Sequence, residues 1–223
     1  MRRLKRKISV LFSFLIYQME QKQAIIDKIN RSRKGTIFLP DSFLPINTRY
    51  AANVLAELEK EGKLIRVTFG IYVKPRQTRF GLVMPTMYEI AKTIAKRDAA
   101  RILPSGPTAE NYLGFSTQVP MNAVYLTSGT PRKLKIDNRT LTLKHSVPKT
   151  FAYKGEIMPI LVLALKSIGK DDVDDETLDN LYGVLKEHPE DDTWQDDVKL
   201  APLWIRNLIT QTKERIRQHE QMD

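Results

Sequence analysis

The sequence predicts an α+β protein: a helical module closed by a β-hairpin, a small α/β domain behind it, and C-terminal helices. Three observations carry this. Apolar residues recur at helical spacing over 20–33 and again over 48–61. Two alternating runs, KLIRV at 63–67 and GIYVK at 70–74, follow directly. Three more β-like runs gather between 122 and 146, with amphipathic segments after 169.

The elements follow in chain order. Residues 1–18, MRRLKRKISVLFSFLIYQ, form a basic and then apolar leader. It superficially matches a signal peptide, yet no small-x-small cleavage site follows and the apolar run falls short of the roughly 20 residues that span a bilayer. An over-extended start with the natural protein beginning at Met19, or an extra helix at the domain edge, accounts for it more simply. From Glu20 to Arg33, Ala24, Ile25, Ile26 and Ile29 recur at helical spacing, and Gly35 supplies a stop. TIFLP at 36–40 reads as a brief strand, and 41–44 as a short helix or turn before Pro45.

Asn47 or Thr48 caps the next helix, whose apolar face is Ala51, Val54, Leu55 and Leu58. Thr48, Arg49, Ala52 and Asn53 lie opposite and face solvent or a partner. Gly62 ends this helix, and the two alternating runs form a hairpin around Thr68, Phe69 and Gly70. Helix, strand, short helix, longer helix and hairpin is the order of a winged helix-turn-helix, in which the second helix of the pair enters the DNA major groove. Asn bonds adenine and Arg bonds guanine bidentately, which makes Asn47, Arg49 and Asn53 candidate base readers. Arg66, Lys74 and Arg76, on or beside the wing, are candidate phosphate contacts that set orientation.

Past Pro75 the pattern changes. Residues 86–103 read as one helix with Ile90, Ala91 and Ile94 on one side, and 108–113 as a short helix. Strands are expected near 122–127, 132–136 and 140–146, the last two joined at Asp137-Asn138. In the tail Leu178, Leu181, Val184 and Leu185 form one apolar stripe, and Trp204, Leu208 and Ile209 mark another. The expected organisation is a leader at 1–18, a winged helix-turn-helix at 19–80, an α/β middle domain at 81–168 and an acidic helical segment at 169–223 packing with the middle domain.

Charge points the same way as the motif. The formal net charge is +10 and the composition includes no cysteine. Residues 1–80, 81–168 and 169–223 carry +11, +7 and −8 respectively. A basic front favours a polyanion, while an acidic tail suits a solvated face, a basic partner or screening. The absence of cysteine removes disulfides and thiolate metal sites and fits a reducing cytoplasm. Three scattered histidines give no metal-ligand spacing. The loops PSGPTAEN and LTSGTPRK place Ser105 and Ser128 near glycine, but neither has phosphate-loop or nucleophile-elbow spacing. The acidic run from Asp171 to Glu176 lacks the spacing of a calcium loop and better suits a helix N-terminus. No catalytic, cofactor or metal site is expected.

The segments VLAELEKEGKLIRVTFGIYVKP at 54–75, ILPSGPTAENYLGFSTQVPMNAVYLTSG at 102–129 and LTLKHSVPK at 141–149 carry a family likeness. The chain resembles the AbiEi-type antitoxin and transcriptional regulator family of type IV toxin–antitoxin (abortive infection) systems, over about residues 20 to 210. The resemblance implies a cytoplasmic repressor that binds inverted repeats in the promoter of its own operon, two copies to a site. It also implies functional pairing with a nucleotidyltransferase-like toxin, without requiring tight toxin binding. It assigns DNA contacts to Asn47, Thr48, Arg49, Asn53, Arg66 and Lys74. The leader and the acidic segment at 171–197 depart from the family pattern. Two rivals stand beside this reading: a nucleic-acid-processing enzyme with chemistry around Ser105, Ser128 or Lys144, and a winged helix that docks RNA or protein.

Overall fold

The computed structural model describes residues 2–221 and, within them, the side chains of 12, 13, 15–219 and 221. The chain is α+β and divides into two compact units, one up to Thr93 and one from Ile94 onward.

In the first unit α1 (Arg2–Arg31) is one continuous helix, so residues 2–18, expected as a separate leader, run without a break into the helix expected from Glu20. In its C-terminal part Ile25 and Ile29 are buried, whereas Phe12, Leu15, Tyr17 and Met19 are exposed. After Gly35 come β1 (Ile37–Phe38), a 3-10 turn (Pro40–Phe43) and α2 (Thr48–Lys60). The face Ala51, Val54, Leu55 and Leu58 is buried, as the i, i+3, i+4, i+7 spacing requires. It packs with Ile25, Ile29, Phe38, Phe43, Leu64 and Tyr72. Leu58 marks where the helix turns back, because its carbonyl accepts from both Lys63 N (2.9 Å) and Leu64 N (3.3 Å).

The strands β2 (Ile65–Thr68) and β3 (Ile71–Val73) pair antiparallel, with a bulge between Arg66 and Thr68. β1 lies on the other side of β3, giving the order β1-β3-β2. Gly70 closes the hairpin at φ 73°, a conformation that favours glycine. A second, smaller hairpin that the sequence reading did not anticipate follows: β4 (Gln77–Thr78) and β5 (Gly81–Leu82).

The helix expected over 86–103 is shorter. α3 (Met87–Arg97) stops because Ala99 takes φ 49° and Ala100 N reaches back to Ala95 O at 2.9 Å, which ends the helix in a left-handed cap. Ile102 and Leu103, expected on that helix, instead form β6 (Ile102–Pro104) and pair with Thr127 and Leu126. The reason is tertiary: the neighbouring strand offers a full ladder to backbone groups that a longer helix would have used.

The second unit is a four-stranded sheet with helices. Its strands include β7 (Asn122–Thr127), β8 (Arg132–Ile136) and β9 (Arg139–His145), in the order β6-β7-β9-β8. The three later strands fall where the sequence places them. β7 and β9 are parallel, and the other two pairings are antiparallel. Edge strand β8 alternates exposed Lys133 and Lys135 with inward residues, a pattern that discourages pairing with another chain.

α4 (Pro107–Tyr112) and α5 (Ile157–Ile168) enclose Leu103, Ala109, Ile160 and Ala164. α5 was not anticipated. It buries seven of its 12 residues and is apolar nearly all round, so it shows no amphipathic period to distinguish it from a buried strand. α6 (Asp175–Glu187), α7 (Trp194–Leu200) and α8 (Leu203–Glu220) complete the unit. Leu161 and Leu165 of α5, Leu181 of α6, Trp194 of α7 and Ile205 and Ile209 of α8 share one core. Asp197 is buried there, and its carboxylate accepts from Lys154 N (2.8 Å) and Gly155 N (2.7 Å), fixing the loop ahead of α5.

Candidate nucleic-acid interface

The expected site residues divide by what their polar atoms already do. Asn47 is the N-cap of α2: its Oδ1 accepts from Arg49 N (3.0 Å) and Tyr50 N (3.2 Å). Bidentate reading of adenine needs an acceptor and a donor on the same amide, and here the acceptor holds the helix start. Thr48, Arg49 and Asn53 lie exposed on α2 away from its buried face. Arg49 and Asn53 are four residues apart and therefore stand one above the other. Neither makes a side-chain hydrogen bond or ion pair among the described residues.

One turn further, Glu57 would place a repelling carboxylate on the same face. Lys22 of α1 neutralises it at 2.6 Å. The hydrogen bond to Glu57, and then its charge, raise the Lys22 pKa above its ordinary 10.5. The helical pattern of residues 20–33 gave no indication of this partner, since its meaning depends on how α1 and α2 cross.

Arg66 projects from β2 with its guanidinium carbon 5.2 Å from the ring centroid of Phe69, an exposed aromatic at the hairpin tip. The smaller hairpin repeats the device: the Arg79 guanidinium sits 4.6 Å from the ring of exposed Phe80. The sequence signal was available in Phe69-Gly70 and Phe80-Gly81, two aromatic-glycine turns with an arginine close by. Arg76 is exposed and runs its side chain past Gly35.

Lys74 does something else. Its Nζ donates to the carbonyl oxygens of Ile29, Asn30 and Ser32, each at 2.8 Å. An ammonium has three protons, and all three are spent on the C-terminal end of α1, where cations also oppose the helix dipole. In this arrangement Lys74 has no donor left for a phosphate. Of the seven expected residues, Thr48, Arg49, Asn53, Arg66 and Arg76 have no side-chain hydrogen bond or ion pair among the described residues, whereas Asn47 and Lys74 hold the unit together.

The alternative residues in the second unit have local duties. Ser128 Oγ accepts from Arg101 N at 2.9 Å, and Ser105 N donates to Val124 O at 3.0 Å. Lys144 is exposed in β9, and His145 Nδ1 lies 3.1 Å from Gly129 O. Neither serine hydroxyl bonds a histidine or carboxylate among the described residues. No group of three His, Asp or Glu side chains among those residues is placed to hold a metal ion. No helix among them is long and apolar enough to cross a membrane.

A search of curated proteins returns no match. One family model covers residues 24–193, from the C-terminal part of α1 to the residue before α7. On that match, which spans most of the sequence, the chain belongs to DUF6088, a family of unknown function.

Proposed function

We infer that the first unit is a winged helix-turn-helix that binds duplex DNA, and that the protein is a non-enzymatic transcriptional regulator. The observation that carries this reading is the division of α2 into two faces. Ala51, Val54, Leu55 and Leu58 are consumed by the core, while Arg49 and Asn53 stand uncommitted on the other side. The order β1-β3-β2 around that helix and a +11 balance over residues 1–80 support it. In this reading α2 enters the major groove with Arg49 and Asn53 at base edges, and Thr48 touches backbone at the groove wall. Arg66 and Arg76 contact phosphates beside it.

The resemblance of residues 102–129 and 141–149 to AbiEi-type regulators extends the proposal. The protein would be a cytoplasmic antitoxin that represses its own operon as a pair of copies on inverted repeats, alongside a nucleotidyltransferase-like toxin. A reading frame of that class next to the gene is the expected genomic context.

Mobility-shift titration with the DNA upstream of the gene tests the DNA reading. Arg49→Ala should cost about 1 to 3 kcal/mol on the cognate site and erase base preference. Arg66→Ala should weaken all sequences alike and lower the salt slope by about one. Parent-like binding by both variants, or stronger retention on duplex RNA than on any DNA, would overturn it.

A further inference from the structure

The second unit contains a cleft of about 430 Å3 between the loop after β9, α5 and the start of α8. Pro159, Val162, Leu163, Leu200 and Pro202 provide apolar walls. Lys149, Lys166, Lys199 and Arg206 also line it, and no Asp or Glu does among the described residues. Lys149 and Lys166 come from the basic middle of the chain, whereas Lys199 and Arg206 come from residues 169–223, which carry a balance of −8.

The cations are poorly compensated. Arg206 Nη2 donates to the carbonyl oxygens of Lys199 (3.1 Å) and Ala201 (3.3 Å), which pins the guanidinium at the wall. Its Nε is buried without an acceptor, and no carboxylate pairs with it among the described residues. Lys199 has Asp196 at 3.8 Å, but that carboxylate is held more closely by Lys154 at 2.9 Å. Lys149 and Lys166 form no ion pair among the described residues. A folded protein that gathers four cations around one apolar cleft, with no carboxylate lining it among the described residues, has an arrangement that an anion would relieve.

We propose that this cleft binds a small organic phosphate, its dianionic head against Arg206, Lys149 and Lys166 and its apolar body along Pro159, Val162 and Pro202. Arg206 Nη1, the guanidinium nitrogen neither bonded nor buried, offers a charge-assisted donor to phosphate oxygens beside the ammonium groups, and the volume falls within the range of small-molecule sites. The apolar walls favour a phosphate ester over the free ion. This site lies entirely in the second unit and does not depend on DNA binding by the first.

Phenyl phosphate is the probe, titrated calorimetrically into the full chain, with benzyl alcohol as the neutral counterpart and inorganic phosphate as the head alone. Saturable binding of phenyl phosphate is expected, with both controls weaker by about tenfold. Arg206→Gln should raise its Kd by about tenfold or more. The double variant Lys149→Gln/Lys166→Gln, both exposed and outside the core, should do the same while melting like the parent. Arg49→Ala should bind like the parent. No saturable binding up to millimolar probe overturns the proposal. So does an unchanged Kd in the double variant, or binding lost only with Arg49→Ala.

Discussion

Lys74 shows how one side chain changes meaning with its partners. An exposed lysine beside a wing contributes to phosphate binding and to the salt slope. A lysine whose three protons are bonded to Ile29, Asn30 and Ser32 carbonyls instead ties the hairpin to the end of α1. Lys74→Met should therefore destabilise the fold by about 2 kcal/mol, read by urea denaturation, because three charge-assisted bonds are lost and their acceptors must find water. Its DNA salt slope should match the parent's at a temperature where both are folded. A slope lower by one with unchanged stability would return Lys74 to the interface.

The end of α3 and the packing of α8 can be tested as elements. Ala99 terminates α3 at φ 49°, a left-handed conformation that costs an alanine about 1 to 2 kcal/mol and glycine much less. Part of that relief is offset by the greater chain entropy of glycine when unfolded. Ala99→Gly should therefore stabilise by about 0.5 kcal/mol in thermal melts, and a loss of stability would mean that the cap has another conformation.

On α8, Lys213 bonds Glu190 at 2.8 Å and also lies 3.6 Å from the centroid of the Trp194 ring, fastening α8 to the loop before α7. The hydrogen bond from Lys213 is the main reason the Glu190 carboxyl is held below its ordinary 4.5; the charges of Lys213 and Arg217 add to it, against some desolvation. A carboxyl depressed by folding stabilises above its unfolded pKa and loses that contribution as pH falls through the folded value. The parent should thus exceed Glu190→Gln in stability at neutral pH, and the gap should close as acid denaturation is followed below 4.5. A gap that stays constant through that window would show that the charge on Glu190 contributes nothing.

Over the whole molecule, charge and commitment of side chains act together. The net +10 is unevenly divided, and within the basic first unit Arg49, Arg66 and Arg76 are three exposed cations that form no ion pair among the described residues. Two copies on an inverted repeat would place about four arginines, Arg66 and Arg76 of each, on phosphates, so log K should fall against log salt with a slope of about −4. Filter binding across a salt series measures it, and a slope near zero would remove the electrostatic basis of the DNA proposal.

Local pattern was sufficient for much of this architecture. The burial of Ala51, Val54, Leu55 and Leu58 follows from a 3.6-residue period, and β7, β8 and β9 from alternation and turn residues, because each reports a face or a bend within a few residues. The same rule fails for α5, which has no polar face to reveal its period, and for residues 98–103, where a distant strand outcompeted the helix. The candidate site was legible only in part for the same reason. Residue type and spacing selected Arg49 and Asn53, but the spent donors of Lys74, the neutralising Lys22 and the orphaned Arg206 depend on contacts formed in three dimensions. The sequence by itself determined which residues carry charge and which helix face is apolar. Tertiary structure alone decided which of those charges remain free to meet a ligand, because hydrogen bonds between groups far apart in the chain exist only once the chain has folded.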